Sequence, residues 1–422
     1  MSRRTLAEWL AWQEQLHPAT MELGLERIQT VLARMALQRP APQVFIVGGT
    51  NGKGSCVATL EALAMRSGRR TGAYTSPHLR RYNERVRVDG LEVGDDTLVS
   101  AFEAVEAARG EVRLTYFEFG TAAALEVFRR RDVETAVLEV GLGGRLDAVN
   151  AVEADAAVVT TVDLDHVQWL GPDRESIGRE KGGIFRFGRP AVIGDRNPPA
   201  SLLAAAGPAA LRLGTDFDWK ADGDHWRWHD RQREFGGLPA DPLPVSALRD
   251  NAASAIAAYA ALDPGLDGRR VVAAIGQIRL AGRLQRVPGP VEWWLDVAHN
   301  PAAAGVLADA LAGEPTPGRT WCVLGMLDDK DPAAVTAALG PQVDGWFLAS
   351  LPKPRGLSAA ALAARLGAVP AGPPAQAPSV AAACEMARAA AEPGDRVVVC
   401  GSFHTVGPAL EWLELYCSPP TL

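Results

Sequence analysis

Gly49-Thr50-Asn51-Gly52-Lys53-Gly54-Ser55 follows the apolar run Val44-Phe45-Ile46-Val47 and precedes a segment of helical periodicity, residues 56–67. A short strand, a glycine-rich turn and a helix start together make a phosphate cradle. Backbone N–H groups of such a turn converge on an anion, and the helix dipole adds positive potential. Lys53 would reach the terminal phosphates, and the Ser55 hydroxyl could take a magnesium ion. The spelling departs from G-x-x-x-x-G-K-[ST], because Gly54 separates Lys53 from Ser55. By itself the loop specifies a nucleotide phosphate and nothing finer.

Outward from the loop, strand-like and helix-like segments alternate. Strands are expected at 44–47, 71–74, 135–140, 156–161 and 190–193, with helices near 55–67, 95–108, 121–130 and 174–181. That alternation predicts a mainly parallel sheet covered on both faces. Upstream, residues 5–38 read as two helical segments broken at His17-Pro18. Residues 83–88 alternate with period two before Asp89-Gly90, like a hairpin strand. Residues 194–245 change character and predict an antiparallel hairpin on the flank. His225 and His229 there could be taken for a metal pair, but on an alternating tryptophan-rich strand they read as exposed side chains. An alanine-rich helix, 246–262, returns to the core. A second α/β series starts near Pro288, with strands at 291–297, 320–324, 345–348 and 396–400 separated by helices. Pro288-Gly289-Pro290 marks the hinge, so two domains are expected, 1–287 and 288–422. A P-loop domain would thus carry a smaller Rossmann-like α/β domain, and a ligand would be expected in a cleft between them.

Composition narrows the class. The 422 residues allow two or three domains, and 47% hydrophobic with 22% charged residues is ordinary for a soluble protein. No apolar run approaches the roughly 18 residues of a membrane span, and charges interrupt the N-terminus, so it is not a signal peptide. Five dispersed cysteines without a C-x-x-C pair point to free thiols in a cytoplasmic protein. A net charge of −7 argues against nucleic-acid binding. An acidic substrate would need local charge, for which Arg80, Arg81, Arg85 and Arg87 are candidates; a solvated basic face is the bland reading.

Other residues fall where ligands of open α/β sheets collect, at the carboxyl ends of strands. Glu139 ends one strand, as a magnesium ligand or as a half-exposed charge. Asp163-Leu164-Asp165-His166 follows the next, and imidazole with carboxylate can bind metal. Ser76 lies after a third, in a turn where its hydroxyl could ligate a hard cation. Lys181 reads only as a basic helix C-cap. Further on, Asp296-Val297-Ala298-His299 and Cys400-Gly401-Ser402-Phe403-His404 also end strands in polar groups, and Arg283 could reach a nucleotide phosphate.

Ten strings, in order, span nearly the whole chain: GTNGKGS (49–55), TSPHL (75–79), NERVRV (83–88), FEFGTAAAL (117–125), LEVGLGGRLDA (138–148), DHVQWLG (165–171), REKGGIF (179–185), GRLQ (282–285), DVAHNP (296–301) and GSFHTVG (401–407). Together they resemble the Mur ligase family, and within it the folylpolyglutamate synthases, with a close match to the bacterial members that also make dihydrofolate. The resemblance explains Gly54, which is how this family spells its loop. It implies an ATP-dependent amide-forming ligase that phosphorylates a carboxylate and lets the amine of L-glutamate displace the phosphate. Its substrates would be dihydropteroate, tetrahydrofolate, L-glutamate and ATP, with more than one Mg2+ ion. Neither nucleic acid nor membrane would be a partner, and a monomer is expected.

By resemblance, Thr50, Asn51, Gly52, Lys53, Gly54, Ser55, Asn251, Arg283 and Asp296 contact ATP. Ser76, Glu139, His166 and Lys181 are the metal ligands, with Ser55 as a further hydroxyl. Lys53, Glu139, His166 and Lys181 make up the catalytic set. The family's match to Lys181 is carbamylated by carbon dioxide, which turns a cation into a carboxylate-like ligand. The pterin falls to Gln15, Leu16, His17 and Pro18, to Thr115, Tyr116, Phe117 and Glu118, and to Leu146, Asp147 and Ala148. The incoming glutamate falls to His299, Ser402 and His404. A folylpolyglutamate synthase lacking the dihydrofolate activity is the alternative within the family. A nucleotide switch without ligase activity is the alternative outside it.

Overall fold

In the computed structural model, the described residues are 4–17, 22–367 and 372–417, with side chains to 414. They form two compact units, Met1–Arg279 and Leu280–Leu422. The division precedes the expected 287/288 boundary, because Gln285–Val287 pairs with Glu292–Leu295 in the sheet of the second unit.

The strands of the first unit's large sheet are β1 (Gln43–Gly48), β2 (Thr71–Tyr74), β3 (Val86–Val88), β4 (Leu91–Glu92), β5 (Thr135–Glu139), β6 (Ala156–Val159), β7 (Ala191–Ile193) and β8 (Leu211–Arg212). Their order is β4-β3-β2-β5-β1-β6-β7-β8. The edge pairs β2/β3 and β3/β4 are antiparallel, and the rest run parallel. β5 and β6 are buried along their whole length, as strands covered on both faces must be. β1 shows why. Val44 and Ile46 join the core beneath the N-terminal helices, whereas the Phe45 ring stacks 5.9 Å from Tyr259 on the helix Ser246–Leu262.

The expected hairpin strand 83–88 is shorter. Tyr82–Arg85 is a turn of 3-10 helix and only Val86–Val88 pairs, because Asn83 turns inward to donate to the Val93 carbonyl at 2.8 Å. On the flank, β9 (Phe217–Asp222), β10 (His225–Asp230) and β11 (Glu234–Pro239) form an antiparallel sheet. Trp226 and Trp228 are its buried anchors, and Trp228 Nε1 donates to the Ala253 carbonyl at 3.1 Å. His225 on the same strand is exposed and His229 half-buried.

The second unit holds β12 (Gln285–Val287), β13 (Glu292–Leu295), β14 (Thr320–Leu324), β15 (Gly345–Ala349), β16 (Ala375–Ala377) and β17 (Arg396–Cys400). Their order is β12-β13-β17-β14-β15-β16, parallel apart from the β12/β13 hairpin. No helix among the described residues is long and apolar enough to cross a membrane.

Candidate active site

β1 sits at the switch point of the large sheet, with β5 on one side and β6 on the other, where open α/β sheets leave a crevice at their carboxyl ends. The loop leaves β1 there and the helix Lys53–Arg66 begins at Lys53. Two glycines are required by crowding. Gly49 has φ +146°, and a Cβ on it would lie 1.9 Å from Thr160 Oγ1; Gly52 has φ +84°, and a Cβ would lie 2.4 Å from the Asn251 amide. Gly54 differs, since a Cβ there would meet nothing within 4 Å. The chain itself does not demand this glycine.

The strand end after β6 clamps the loop. Thr50 N–H donates to the Thr161 carbonyl at 2.7 Å, Asn51 N–H to Thr161 Oγ1 at 3.1 Å, and Thr160 Oγ1 to the Asn51 carbonyl at 2.6 Å. Lys53 Nζ donates to the Gly49 and Thr50 carbonyls at 3.0 and 3.1 Å, so the ammonium lies over its own loop. Asn251 Nδ2 donates to Ser55 Oγ at 2.9 Å. This fixes the buried Ser55 hydroxyl and brings Asn251, far off in sequence, onto the loop.

Parallel register puts Glu139 opposite Val47, next to the loop mouth, and its carboxylate is buried. Glu139 Oε2 accepts the Ser76 N–H at 3.1 Å, which ties the turn after β2 to the end of β5. His166 stands at φ +50° as N-cap of the short helix Val167–Leu170, with its N–H on Asp165 Oδ1 at 2.8 Å. Lys181 is buried. Burial, then the neighbouring Lys53 ammonium, push its pKa down to about 7 against the opposing pull of Asp165 and Asp147. Lys53, Asp165, Asp147 and Lys181 thus share one electrostatic neighbourhood.

Among the described residues no three His, Cys, Asp or Glu side chains gather as a metal cage. Magnesium keeps waters and substrate phosphates and takes only one or two protein carboxylates. Glu139 and the hydroxyls of Ser55 and Ser76 are hard oxygen donors of the kind magnesium takes.

At residues 115–118 the structure separates two kinds of residue. Thr115 and Glu118 are a reciprocal helix cap: Thr115 N–H donates to Glu118 Oε2 at 2.7 Å, and Glu118 N–H to Thr115 Oγ1 at 3.3 Å. Glu118 is also held by Arg27, with Nη2 to Oε1 at 3.1 Å, so its charge is already committed. Phe117 and Tyr116 are half-buried. The Phe117 ring packs 5.9 Å from Tyr74 and so close to Gly141 that a Cβ there would come within 2.7 Å.

Asp147 is buried and caps the turn Ala148–Ala151, accepting Leu142 N–H at 2.9 Å and Val149 N–H at 3.1 Å. Burial outweighs these donors and raises its carboxyl to about 7. Leu146 is half-buried and Ala148 buried. Gln15 is exposed and Leu16 half-buried at the end of the first helix. His17 Nε2 lies 3.3 Å from Glu22, and Pro18 lies outside the described residues.

Three of the four arginines are each held by a different partner. Arg87 pairs with the buried Glu61 at 2.8 Å, Arg81 faces Asp95 at 3.5 Å, and Arg85 Nε donates to His78 Nδ1 at 2.9 Å.

In the second unit, buried Asp296 accepts Leu284 N–H and Ala298 N–H, both at 2.8 Å, and burial raises its pKa. Arg283 lies 5.0 Å over the Phe403 ring. His299 Nδ1 is 2.9 Å from the Val297 carbonyl, which can only accept, so the hydrogen sits on Nδ1. Ser402 is buried and accepts His404 N–H at 3.1 Å, while the His404 side chain is exposed. Sequence reasoning passed over the Thr160-Thr161 clamp and Tyr74; paired hydroxyls directly after the strand beside the loop were the available signal.

The fold and this cradle define an ATP-dependent ligase of the two-domain Mur type. Residues 282–403 match the model of the Mur ligase, glutamate ligase domain. The dihydrofolate synthase/folylpolyglutamate synthase of Escherichia coli is 44% identical over 97% of this chain and 96% of its own. The structure of E. coli FolC in complex with DHPP and ADP superposes with a TM-score of 0.93 at 43% identity, covering 98% of this chain and 99% of that one. The Yersinia pestis bifunctional enzyme complexed with AMPPNP and Mn ion gives 0.91 at 43% identity, covering 97% and 98%. This chain belongs to the dihydrofolate synthase/folylpolyglutamate synthase family.

Proposed function

We propose that this chain joins L-glutamate to dihydropteroate, forming dihydrofolate, and then to tetrahydrofolate, forming folylpolyglutamates. The observation that carries the reading is likeness from end to end, 44% identity across 97% of the chain to a relative of that name, phosphate loop included. In the reaction, a substrate carboxylate oxygen attacks the γ-phosphorus of ATP and ADP leaves. The glutamate amine then attacks the acyl carbon, phosphate leaves, and the amine gives up its proton.

Each residue has a part in that sequence. Backbone N–H groups of Thr50 to Ser55 hold the triphosphate, with Lys53 moving off its loop carbonyls onto the transferred phosphate. Glu139, Ser76, His166 and Ser55 would hold magnesium, which when bound would supply charge neutralisation to the phosphate oxygens. Lys181 reacts with carbon dioxide to form a carbamate, its nitrogen bonding to the carbon as a proton leaves. Its pKa near 7 supports this, because only the neutral amine is a nucleophile. Phe117 and Tyr116 offer aromatic faces to the pterin and Asp147 a polar anchor. Asn251, Arg283 and Asp296 contact the nucleotide, and His299, Ser402 and His404 the incoming glutamate. The reaction draws on the cytoplasmic ATP pool, and the buried free thiols Cys56, Cys322, Cys384 and Cys400 suit a reducing compartment.

Glutamate-dependent phosphate release, measured with each pteroate and with glutamate omitted, tests the reading. Turnover with both substrates is expected. Turnover with tetrahydrofolate alone would leave a folylpolyglutamate synthase, and release indifferent to glutamate would point to the nucleotide switch.

A further inference from the structure

Arg85 closes the 3-10 turn Tyr82–Arg85. Its Nε donates to His78 Nδ1 at 2.9 Å, and its guanidinium carbon lies 5.3 Å over the Tyr82 ring and 5.7 Å from that of Tyr116. Those two rings meet edge to face, with centroids 6.1 Å apart, and form a corner that holds the planar group in place. Among the described residues no carboxylate pairs with Arg85, whereas Arg81 and Arg87 have theirs. The stretches outside the described set contain neither Asp nor Glu. A half-buried guanidinium fixed on aromatic faces, with its two terminal nitrogens unclaimed by any carboxylate, is a fork preorganised for an incoming one.

Its place in the fold says which carboxylate. On one side, His78 follows two residues after Ser76, whose N–H is bound to Glu139 at the phosphate end of the site. On the other, Tyr116 adjoins Phe117 at the pterin segment. A ligand stretched between those ends would pass Arg85 with its p-aminobenzoyl portion and whatever branches from it. Dihydropteroate has a single carboxylate there, and the reaction consumes it. Tetrahydrofolate carries a glutamyl group with two, of which one reacts and the other stands by.

We propose that Arg85 binds the non-reacting carboxylate of the folate glutamyl group, and so serves the second glutamylation far more than the first. This rests on the ligase reading above. His78 and the two tyrosines act through Arg85, as its positioning residues.

Steady-state kinetics of wild type, Arg85→Gln and Arg85→Lys, each with dihydropteroate and with tetrahydrofolate, test the proposal. Loss of a charged hydrogen-bonded pair should raise KM for tetrahydrofolate roughly ten- to a hundredfold in Arg85→Gln. KM for dihydropteroate should move several-fold less, and Arg85→Lys should recover part of the loss. Should the Gln variant melt early, the Lys variant, which keeps the charge and the apolar stem, carries the comparison. Equal changes for the two substrates, or none for either, would overturn the role of Arg85 and leave the ligase reading standing. A wild type that turns over neither substrate would instead remove the reading on which the proposal rests.

Discussion

Lys181 shows how far a residue's chemistry depends on its surroundings. As a helix-end cation it would be unremarkable; buried beside Lys53 it is a poor cation and a good nucleophile. Lys181→Ala should lose most ligase activity and regain part of it when a short carboxylate is added, whereas activity at the wild-type level without the additive would exclude a carbamate role. Asp147 invites a stability measurement. Its carboxyl titrates near 3.8 when unfolded and about 7 when folded, so between those values the folded state holds the extra proton. The stability it contributes is therefore complete below the lower value and lost as pH rises through about 7. The upper bound is roughly 4 kcal/mol, at about 1.4 kcal/mol per unit. Between pH 5 and 8 the melting temperature of the wild type should fall more than that of Asp147→Asn, and parallel slopes would refute the assignment. Gly54 separates two kinds of glycine. Gly54→Ala meets open space and should hold or gain up to about 1 kcal/mol of stability, yet raise KM for ATP. Gly52→Ala is strained at φ +84° and collides with Asn251, so it should lower the melting temperature by several degrees.

At the scale of elements, the helix Tyr116–Arg130 begins with the reciprocal Thr115 and Glu118 cap, and that start sets the half-buried Phe117 against Tyr74. On the proposed reading, the cap would also position the ring that faces the pteroate. Thr115→Ala should cost about 1 kcal/mol in thermal or denaturant unfolding. It should also raise KM for either pteroate more than KM for ATP, since the loop is braced by Thr160, Thr161 and Asn251 instead. A uniform loss across all substrates would mean that the cap matters only for folding. The parallel register of β1 and β5 is the other decisive element, because a slip by one residue would turn Glu139 to the opposite face of the sheet.

At the scale of the whole molecule, each unit has its own sheet and its own buried core. Residues 1–279 expressed alone should therefore unfold in a single cooperative transition and lack ligase turnover, because the whole glutamate ligase domain match, 282–403, is gone. A molten, noncooperative fragment would show that the first unit depends on the second.

The alternation of short apolar runs with helical stretches was enough to specify two α/β units, since strand and helix periodicities are local properties. The phosphate loop was legible for the same reason: its glycines, lysine and serine are contiguous. What the local pattern misjudged was local too, as at residues 83–88, where period-two alternation lost to the inward turn of Asn83. Only the tertiary structure brought Asn251 onto Ser55 and Glu139 beside the loop mouth, because strand order and register are set by packing between distant segments. It also decided which charges are spent and which are poised. Glu118, which the resemblance gives to the pterin, is held by Arg27 and by a helix cap. Lys181 looks like a cap but is buried next to another cation, and burial, which no single sequence displays, moved its proton affinity toward neutral pH.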